Sequence, residues 1–246
     1  MPAATTVTGM VLSAMPVGDY DKRLVILTRE LGKISAFAKG ARRPNSALLA
    51  CSQPFSFGVF SLFTGRTSYT VTSSEISNYF PELRDDIESV YYGMYFCEFT
   101  DYITKENNDE GEILKLLYQT LRAVAKKTIE LPLIRLVFEF KIMALSGVAP
   151  QVFSCVKCEK VEADYLFSVY SGGLLCEDCK SNDNSAIRLC TSSIYTLQYI
   201  ISKNVDNLYT FRVKQEVLSE LETLIKRYLD YYLNHEFKSG ELLRTL

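Results

Sequence analysis

Two pairs of cysteines are the residues of this sequence whose type and spacing point most directly to chemistry. The chain reads CVKC at residues 155–158 and, after seventeen further residues, CEDC at residues 176–179. Thiolates separated by two residues can turn onto one ion, and a hairpin that joins two such pairs completes a tetrahedral sulfur site for Zn²⁺. The sequence therefore predicts a zinc ribbon at about residues 152–182 that holds one structural zinc ion, with the ligands Cys155, Cys158, Cys176 and Cys179.

Other uses of paired cysteines fit this sequence less well. Structural disulfides are unusual in a reducing cytosol, and a thioredoxin-like redox pair needs a single CxxC at the start of a helix within a βαβ unit. A catalytic zinc keeps an open position, and a zinc deaminase also needs an HxE or CxE element, which the sequence lacks. We therefore expect the metal to stabilise the fold. The remaining cysteines, Cys51, Cys97 and Cys190, have apolar neighbours and are predicted to be free and buried.

A basic segment, KGARRPN at residues 39–45, is the second feature with chemical potential. The chain has a net charge of −2, but residues 1–80 carry eight Lys and Arg against four Asp and Glu, and the remainder carries 19 against 25. An uneven distribution of this kind indicates that one part of the chain meets a polyanion. A solvated loop whose charges only improve solubility is the alternative.

The elements that position this basic segment have β-strand composition. Segments rich in Val, Ile, Thr, Phe and Tyr alternate with turn residues from about residue 6 to residue 79. The sequence predicts five strands, with a short helix near residues 46–50 between the third and the fourth. We expect an OB-type barrel, and a small sandwich is the competing fold.

In an OB-type barrel, extended oligonucleotides bind the exposed face of the second and third strands and the loops beside it. Most of the N-terminal cations lie in this part of the sequence, and Arg suits two-point contact with phosphate. Tyr20 and Phe37 could stack on bases, although a core position is the stronger assignment for Phe37. The predicted nucleic-acid-binding residues are Lys22, Arg23, Lys33, Lys39, Arg42, Arg43 and Arg66.

After residue 81 the apolar residues recur with helical spacing. The segment LPLIRLVFEFKIMALSG is apolar on most sides, which is typical of a helix at the centre of a bundle, and further helices are expected at residues 193–202 and 213–235. The fold class is thus α+β, with an OB-fold nucleic-acid-binding domain at residues 1–80 and an α-helical domain with an inserted ribbon at residues 81–246. Three buried stripes are expected: Ile87, Val90, Tyr91, Met94 and Tyr95; Ile113, Leu117, Leu121 and Val124; and Val217, Leu221, Leu224, Ile225, Tyr228 and Tyr232.

Several classes of function fit the sequence poorly. It contains no apolar run of the length that a membrane span needs and no N-terminal secretory signal, so we expect a cytoplasmic protein. His235 is its single histidine, and it has no Gly-rich phosphate loop or Ser/His/Asp pattern, so neither an enzyme nor a small-molecule substrate is expected. A scaffold that is braced by zinc and binds an acidic protein without touching DNA remains the alternative to a DNA-binding protein.

The stretch VGDYDKRLVILTRELGKISAFAKGARRPNS, the four-cysteine ribbon within a helical region and the ending YYLNHEFKSGELL together resemble the bacterial RecO family of recombination mediators. The resemblance spans nearly the whole chain and implies an OB domain followed by a helical domain with a zinc ribbon. It implies a role in recombinational repair, with binding of single- and double-stranded DNA, annealing of complementary strands and loading of RecA. Some family members lack the cysteines, whereas this sequence has all four.

The resemblance also implies partners. They are RecR and the acidic C-terminal tail of single-strand DNA-binding protein, which would bring the chain to the nucleoid during repair. A pocket for such a tail needs an apolar hollow with one or two cations, because the peptide is acidic and ends in a carboxylate. Arg135 and Lys141, on the central helix, are the predicted tail-binding residues, and ion pairs at the edge of the bundle are the alternative.

Overall fold

The computed structural model describes residues 4–65, 68–180, 183 and 185–243. The chain forms two compact units, one of Met1–Lys126 with Phe237–Leu246 and the other of Lys127–Glu236. The predicted domain boundary at residue 80 falls between the last barrel strand and the first helix. As a division between folding domains it remains a prediction.

The first unit contains a closed five-stranded barrel with the strand order β1-β2-β3-β5-β4. Neighbouring strands are antiparallel except β3 and β5, which pair in parallel over only two residue pairs, Ala36 with Tyr69 and Phe37 with Thr70. This order confirms the predicted OB-type barrel. The strands are β1 Ala4–Val17, β2 Asp21–Thr28, β3 Gly32–Ala38, β4 Phe57–Thr64 and β5 Tyr69–Asn78.

Alternation along the strands fills the barrel with apolar side chains. Leu24 and Ile26 of β2, Ile34 and Ala36 of β3 and Phe60 of β4 are all buried in one cluster. The side chains between them point outward, so each strand offers every second residue to solvent or to a covering element. A shift of one residue along a strand therefore moves a side chain from the core to the surface.

Residues 39–56, between β3 and β4, form consecutive turns, so the predicted short helix there is wrong. Asn45, which follows Pro44, has a left-handed φ of 63°. The Ser46 side chain accepts a hydrogen bond from the N–H of Leu48 at 3.2 Å. Such local side-chain bonds and a left-handed residue compete with helical pairing and favour turns.

Seven helices follow the barrel in the described part of the chain. The buried stripe predicted for α3 and the nearly complete burial predicted for α4 are both confirmed. In α6 the predicted stripe is buried up to Tyr228, and Tyr232 is half-buried. The helices are α1 Pro81–Arg84, α2 Ile87–Ile103, α3 Gly111–Lys126, α4 Leu131–Leu145, α5 Thr191–Ser202, α6 Gln215–Tyr232 and α7 Lys238–Leu243.

The stripe predicted for α2 is only partly confirmed: Tyr95 is buried and Val90 and Tyr91 are half-buried, but the prediction is wrong for Ile87 and Met94. Ile87 and Met94 are 66% and 46% exposed, whereas Tyr92 and Phe96 are buried. Gly93 lies on the other face of the helix and permits its close approach to Phe55, since a Cβ on this glycine would lie 3.0 Å from a ring atom of Phe55. The helix carries apolar residues all round, so periodicity alone did not identify its buried face.

The second unit also contains a small sheet with the order β7-β6-β8. Its strands are β6 Tyr165–Ser168, β7 Gly173–Cys176 and β8 Ile187–Arg188. The first two form the hairpin that the glycines of YSGGLLC predicted, and β8 is an added edge strand. Among the helices of the described residues, none combines the length and the hydrophobicity that a membrane-spanning segment requires.

Candidate metal centre and nucleic-acid interface

The four predicted metal ligands lie together. The Sγ atoms of Cys155, Cys158, Cys176 and Cys179 are all within 4.8 Å of one another, and those of Cys158 and Cys176 are 3.6 Å apart. In a tetrahedral Zn²⁺ site with Zn–S bonds of about 2.3 Å, neighbouring sulfur atoms are about 3.8 Å apart. The donor set and its spacing therefore fit one metal ion with four thiolate ligands.

The first cysteine pair is shaped by a tight turn. The N–H of Cys155 donates to the carbonyl of Lys160 at 2.9 Å, and the N–H of Glu159 donates to the carbonyl of Cys155 at 2.9 Å. Glu159 has a φ of 60°, in the left-handed region. This residue turns the chain directly after Cys158, so both thiols of the pair face the same point.

The second pair is placed by the hairpin of β6 and β7. Cys176 is the last residue of β7, and Cys179 ends the short 3-10 turn that follows. The N–H of Leu174 donates to the carbonyl of Gln151 at 2.8 Å, which fixes the hairpin against the chain leading to the first pair. Gly173 permits this approach, because a Cβ there would lie 2.2 Å from the Gln151 oxygen.

The thiols of the cluster differ in their electrostatic surroundings. Burial opposes ionisation of Cys155, but backbone N–H groups, led by that of Cys176 at 3.4 Å, hydrogen-bond to its sulfur, and its pKa falls to about 6. Hydrogen bonds with the thiols of Cys176 and Cys158 raise the pKa of Cys179 to about 12. One sulfur is thus already favoured as the thiolate that a metal requires, and metal binding would displace the protons of the others.

The cations around the cluster have partners within the ribbon. They are accordingly a poor surface for phosphate, in keeping with the acidic composition of residues 152–182. The contacts are Lys157 Nζ to the Cys179 carbonyl at 3.2 Å, Lys160 Nζ to Asp178 at 3.7 Å, Lys180 Nζ to Glu177 at 3.8 Å, and Arg188 to the same Glu177.

Lys22 and Arg23, adjacent on β2, point to opposite sides of the strand. Arg23 is exposed on the outer face, where its Nε donates to Ser35 Oγ at 2.9 Å and where it pairs in register with Phe37. Lys22 is half-buried and donates to the carbonyl of Ser52 at 2.9 Å. Burial, and then the nearby charge of Arg42, lower the pKa of Lys22. Only Arg23 of this pair therefore lies on the predicted binding face.

The basic segment is fixed to the turn between β1 and β2. The N–H of Arg42 donates to the carbonyl of Tyr20 at 2.8 Å, and its guanidinium donates to the carbonyl of Gly18 at 3.2 Å. The N–H of Gly40 donates to the carboxylate of Asp21 at 2.7 Å. The turn sequence GDYD was the signal that could have predicted this anchoring by an Asp side chain.

Arg43 completes the group. Its guanidinium carbon lies 5.0 Å from the centre of the Tyr20 ring, which is 50% exposed. Lys39 is exposed in the same segment, and Phe37, at the end of β3, is half-buried. We call this group the basic barrel end; it consists of Tyr20, Arg23, Phe37, Lys39, Arg42 and Arg43.

Two other predicted DNA-binding cations are not part of this group. Lys33 lies near the opposite end of β3, and its ammonium is 2.9 Å from the carboxylate of Asp101 in α2 and also donates to the Asp101 carbonyl. Its charge is thus neutralised within the unit. Arg66 lies outside the described residues.

The two predicted tail-binding cations on α4 have partners within the second unit. Arg135 Nη2 lies 2.9 Å from the Glu222 carboxylate. Lys141, which is 6% exposed, donates to the carbonyls of Ile201 and Lys203 at 2.9 Å and 2.6 Å, at the C-terminal end of α5. These contacts give both cations a structural role, and their binding of an acidic tail stays a prediction.

The remaining cysteines are not all buried. Cys51 and Cys97 are buried as predicted, but Cys190 is exposed, so that prediction is wrong for Cys190. It immediately precedes α5, and its N–H donates to the carboxylate of Glu220 at 3.2 Å. Its position just before the helix leaves Cys190 exposed, although its neighbour Leu189 is apolar.

Comparison with known proteins places these features in one family. Residues 1–80 match the family model for the N-terminal part of recombination protein O, and residues 84–241 match the model for its C-terminal part. The DNA repair protein RecO of Alkaliphilus metalliredigens is 35% identical over 240 residues, 97% of this chain and 98% of the relative. That of Acetivibrio thermocellus is 34% identical over 241 residues, 97% of this chain and 96% of the relative. The chain therefore belongs to the RecO family and has a role in DNA repair and recombination.

Proposed function

We propose that the chain binds single- and double-stranded DNA at the basic barrel end. The observation that supports this most is the anchored arrangement of Arg42 and Arg43 beside the exposed ring of Tyr20. Within the described residues, no carboxylate lies at ion-pairing distance from Arg23, Arg42 or Arg43. Their charges are therefore available for phosphates, and the ring is available for a base.

Annealing of complementary strands follows from the same surface without covalent chemistry. Two strands repel each other through their phosphates, and cations that neutralise one strand lower this repulsion. On this proposal the protein is a recombination mediator and not an enzyme. It helps to load RecA on DNA that is coated by single-strand DNA-binding protein, whose acidic tail it binds, and it acts with RecR in the cytoplasm.

We propose that the metal of the thiol cluster is one Zn²⁺ ion with a structural role. Four cysteine sulfurs close the coordination shell, so no position is left for a water or a substrate. The ion would hold the two cysteine pairs and the β6–β7 hairpin in one arrangement, because metal affinity in such sites is folding free energy.

The test of DNA binding is a salt series with labelled oligothymidylate, followed by fluorescence anisotropy. About four phosphate contacts would give a slope near −3 in a plot of log affinity against log salt, from about 0.7 per contact. Arg42→Ala together with Arg43→Ala should weaken binding of all sequences alike, flatten the slope by about 1.4 and slow strand annealing. Arg29→Ala is the matched control, since Arg29 is exposed beyond the other end of β2 and pairs with Glu30.

The proposal fails if the double variant binds oligothymidylate and duplex DNA as tightly as the unmodified chain at low salt. In that case the cations would serve an acidic protein, as the scaffold alternative requires. A variant that anneals normally while binding weakly would separate annealing from the basic barrel end.

A further inference from the structure

A groove of about 640 Å³ lies beside the zinc ribbon, within the second unit. One wall is the segment 161–165, which leads into β6, and the other is the first two turns of α5 with the residues just before it. Neither the metal centre nor the basic barrel end accounts for this groove.

Two large apolar side chains stand exposed along the groove. Val161 on one wall is 70% exposed, and Tyr195 on the other is 69% exposed. The buried residue Leu189 belongs to the same lining. Exposed apolar residues that line a concavity are typical of a site that receives side chains of a partner protein.

The charge of the groove is negative. Glu162 and Asp164 are exposed on the ribbon wall, and within the described residues neither has a cationic partner. Arg188, the one cation in the lining, already binds Glu177. A phosphate backbone would be repelled here, whereas a basic segment would be attracted.

Both walls are held in place by hydrogen bonds. On the ribbon wall, the hydroxyl of Tyr165 donates to the carbonyl of Lys160 at 2.7 Å. On the helix wall, Gln198 Nε2 donates to the carbonyl of Val152 at 2.7 Å. A groove that is formed before binding costs little ordering entropy, which favours recognition of an extended or helical peptide.

We propose that this groove is a docking site for a basic segment of a partner protein, anchored by apolar side chains between Val161 and Tyr195 and held by Glu162 and Asp164. The site is separate from the basic barrel end and has the opposite charge. The chain would thus have one surface that attracts a polyanion and another that attracts a polycation.

The probe is a phage-displayed library of random dodecapeptides, selected on the full zinc-loaded chain. Counter-selection on the Val161→Ser/Tyr195→Ala variant removes peptides that bind elsewhere. We expect the retained peptides to combine Lys or Arg with large apolar residues. The paired substitution Glu162→Gln/Asp164→Asn should then weaken their binding about tenfold, with the loss shrinking at high salt.

The matched control is Glu216→Gln/Asp230→Asn, which removes two exposed carboxylates from α6 and should leave peptide affinity unchanged. Cys190 reports occupancy, because it is exposed and lines the groove. A saturating peptide should slow its alkylation by a maleimide.

The proposal is overturned if no peptide is retained, if the retained peptides lack basic residues, or if the Glu162→Gln/Asp164→Asn variant binds them normally. Labelled oligothymidylate separates this proposal from DNA binding at the barrel. Its affinity should not respond to the groove variants, and a clear loss there would identify the groove as a nucleic-acid site instead.

Discussion

The guanidinium of Arg43 lies over the ring of Tyr20, with 5.0 Å between the guanidinium carbon and the ring centre. The two residues come from different loops, the β1–β2 turn and the segment after β3, and the contact holds a cation and an exposed aromatic face together. This combination suits a nucleotide, since its phosphate can bind the cation and its base can stack on the ring.

We predict that Tyr20→Leu weakens binding of oligothymidylate about tenfold, because stacking of one base contributes about 1–3 kcal/mol. The slope of affinity against salt should stay unchanged, since no phosphate contact is lost. Fluorescence anisotropy over a salt series measures both quantities. Tyr20→Phe is the control and should bind as the unmodified chain does; equal binding by the Leu variant would contradict the role of the ring.

For the metal centre we predict one zinc per chain by elemental analysis. Cys176→Ser should lose the metal and expose the ribbon to amide hydrogen exchange, since zinc contributes about 10 kcal/mol or more to folding in such sites. Cys190→Ser should keep the metal. The basic barrel end lies in the other compact unit, so chelation should leave oligonucleotide affinity within about twofold; a chain with no zinc would refute the assignment.

Lys33 and Asp101 are expected to stabilise the first unit without contributing to DNA affinity. Their charged atoms are 2.9 Å apart, and the lysine side chain is 24% exposed. Lys33→Met should lower the free energy of unfolding by about 1 kcal/mol in urea titrations. Lys126→Met, at an exposed lysine of α3, should change it by less than about 0.5 kcal/mol. A large loss of DNA affinity in the Lys33 variant would restore the original prediction for this residue.

Gly173→Ala should disrupt the ribbon, because the added Cβ would lie 2.2 Å from the Gln151 carbonyl oxygen. We expect a loss of more than about 3 kcal/mol in unfolding free energy and release of zinc to a weaker chelator. Gly147→Ala is the control: Gly147 has a φ of 83° but no neighbouring atom within 4 Å of its added Cβ, so only about 1–2 kcal/mol of backbone strain is expected. Equal effects of the two substitutions would contradict the close approach.

The features that sequence predicted well are those that local chain geometry determines. The spacing of Cys155 and Cys158 already requires a turn that directs both thiols to one point. The apolar repeat of α3 identified its buried face, because polar residues cover the other side of that helix. Apolar and polar residues alternate along the strands of the barrel, so the strands were identified for the same reason.

The features that sequence missed depend on contacts between distant residues. Lys33 and Asp101 are 68 positions apart, so the sequence gives no sign that this cation is neutralised. In α2, the complementarity of Gly93 and Phe55 selects one face of a helix that is apolar all round. Lys22 and Arg23 were grouped by charge, although neighbouring residues on a strand point to opposite sides.

The parallel pairing of β3 with β5 joins the barrel through only Ala36–Tyr69 and Phe37–Thr70. Every other junction of the barrel is longer, so we expect local opening of the barrel wall to need the least free energy at this seam. Phe37 belongs both to the seam and to the basic barrel end. A strand of DNA that stacks on Phe37 would therefore stabilise the junction of β3 and β5. Amide hydrogen exchange at residues 36–37 and 69–70 would then slow more than elsewhere in the sheet.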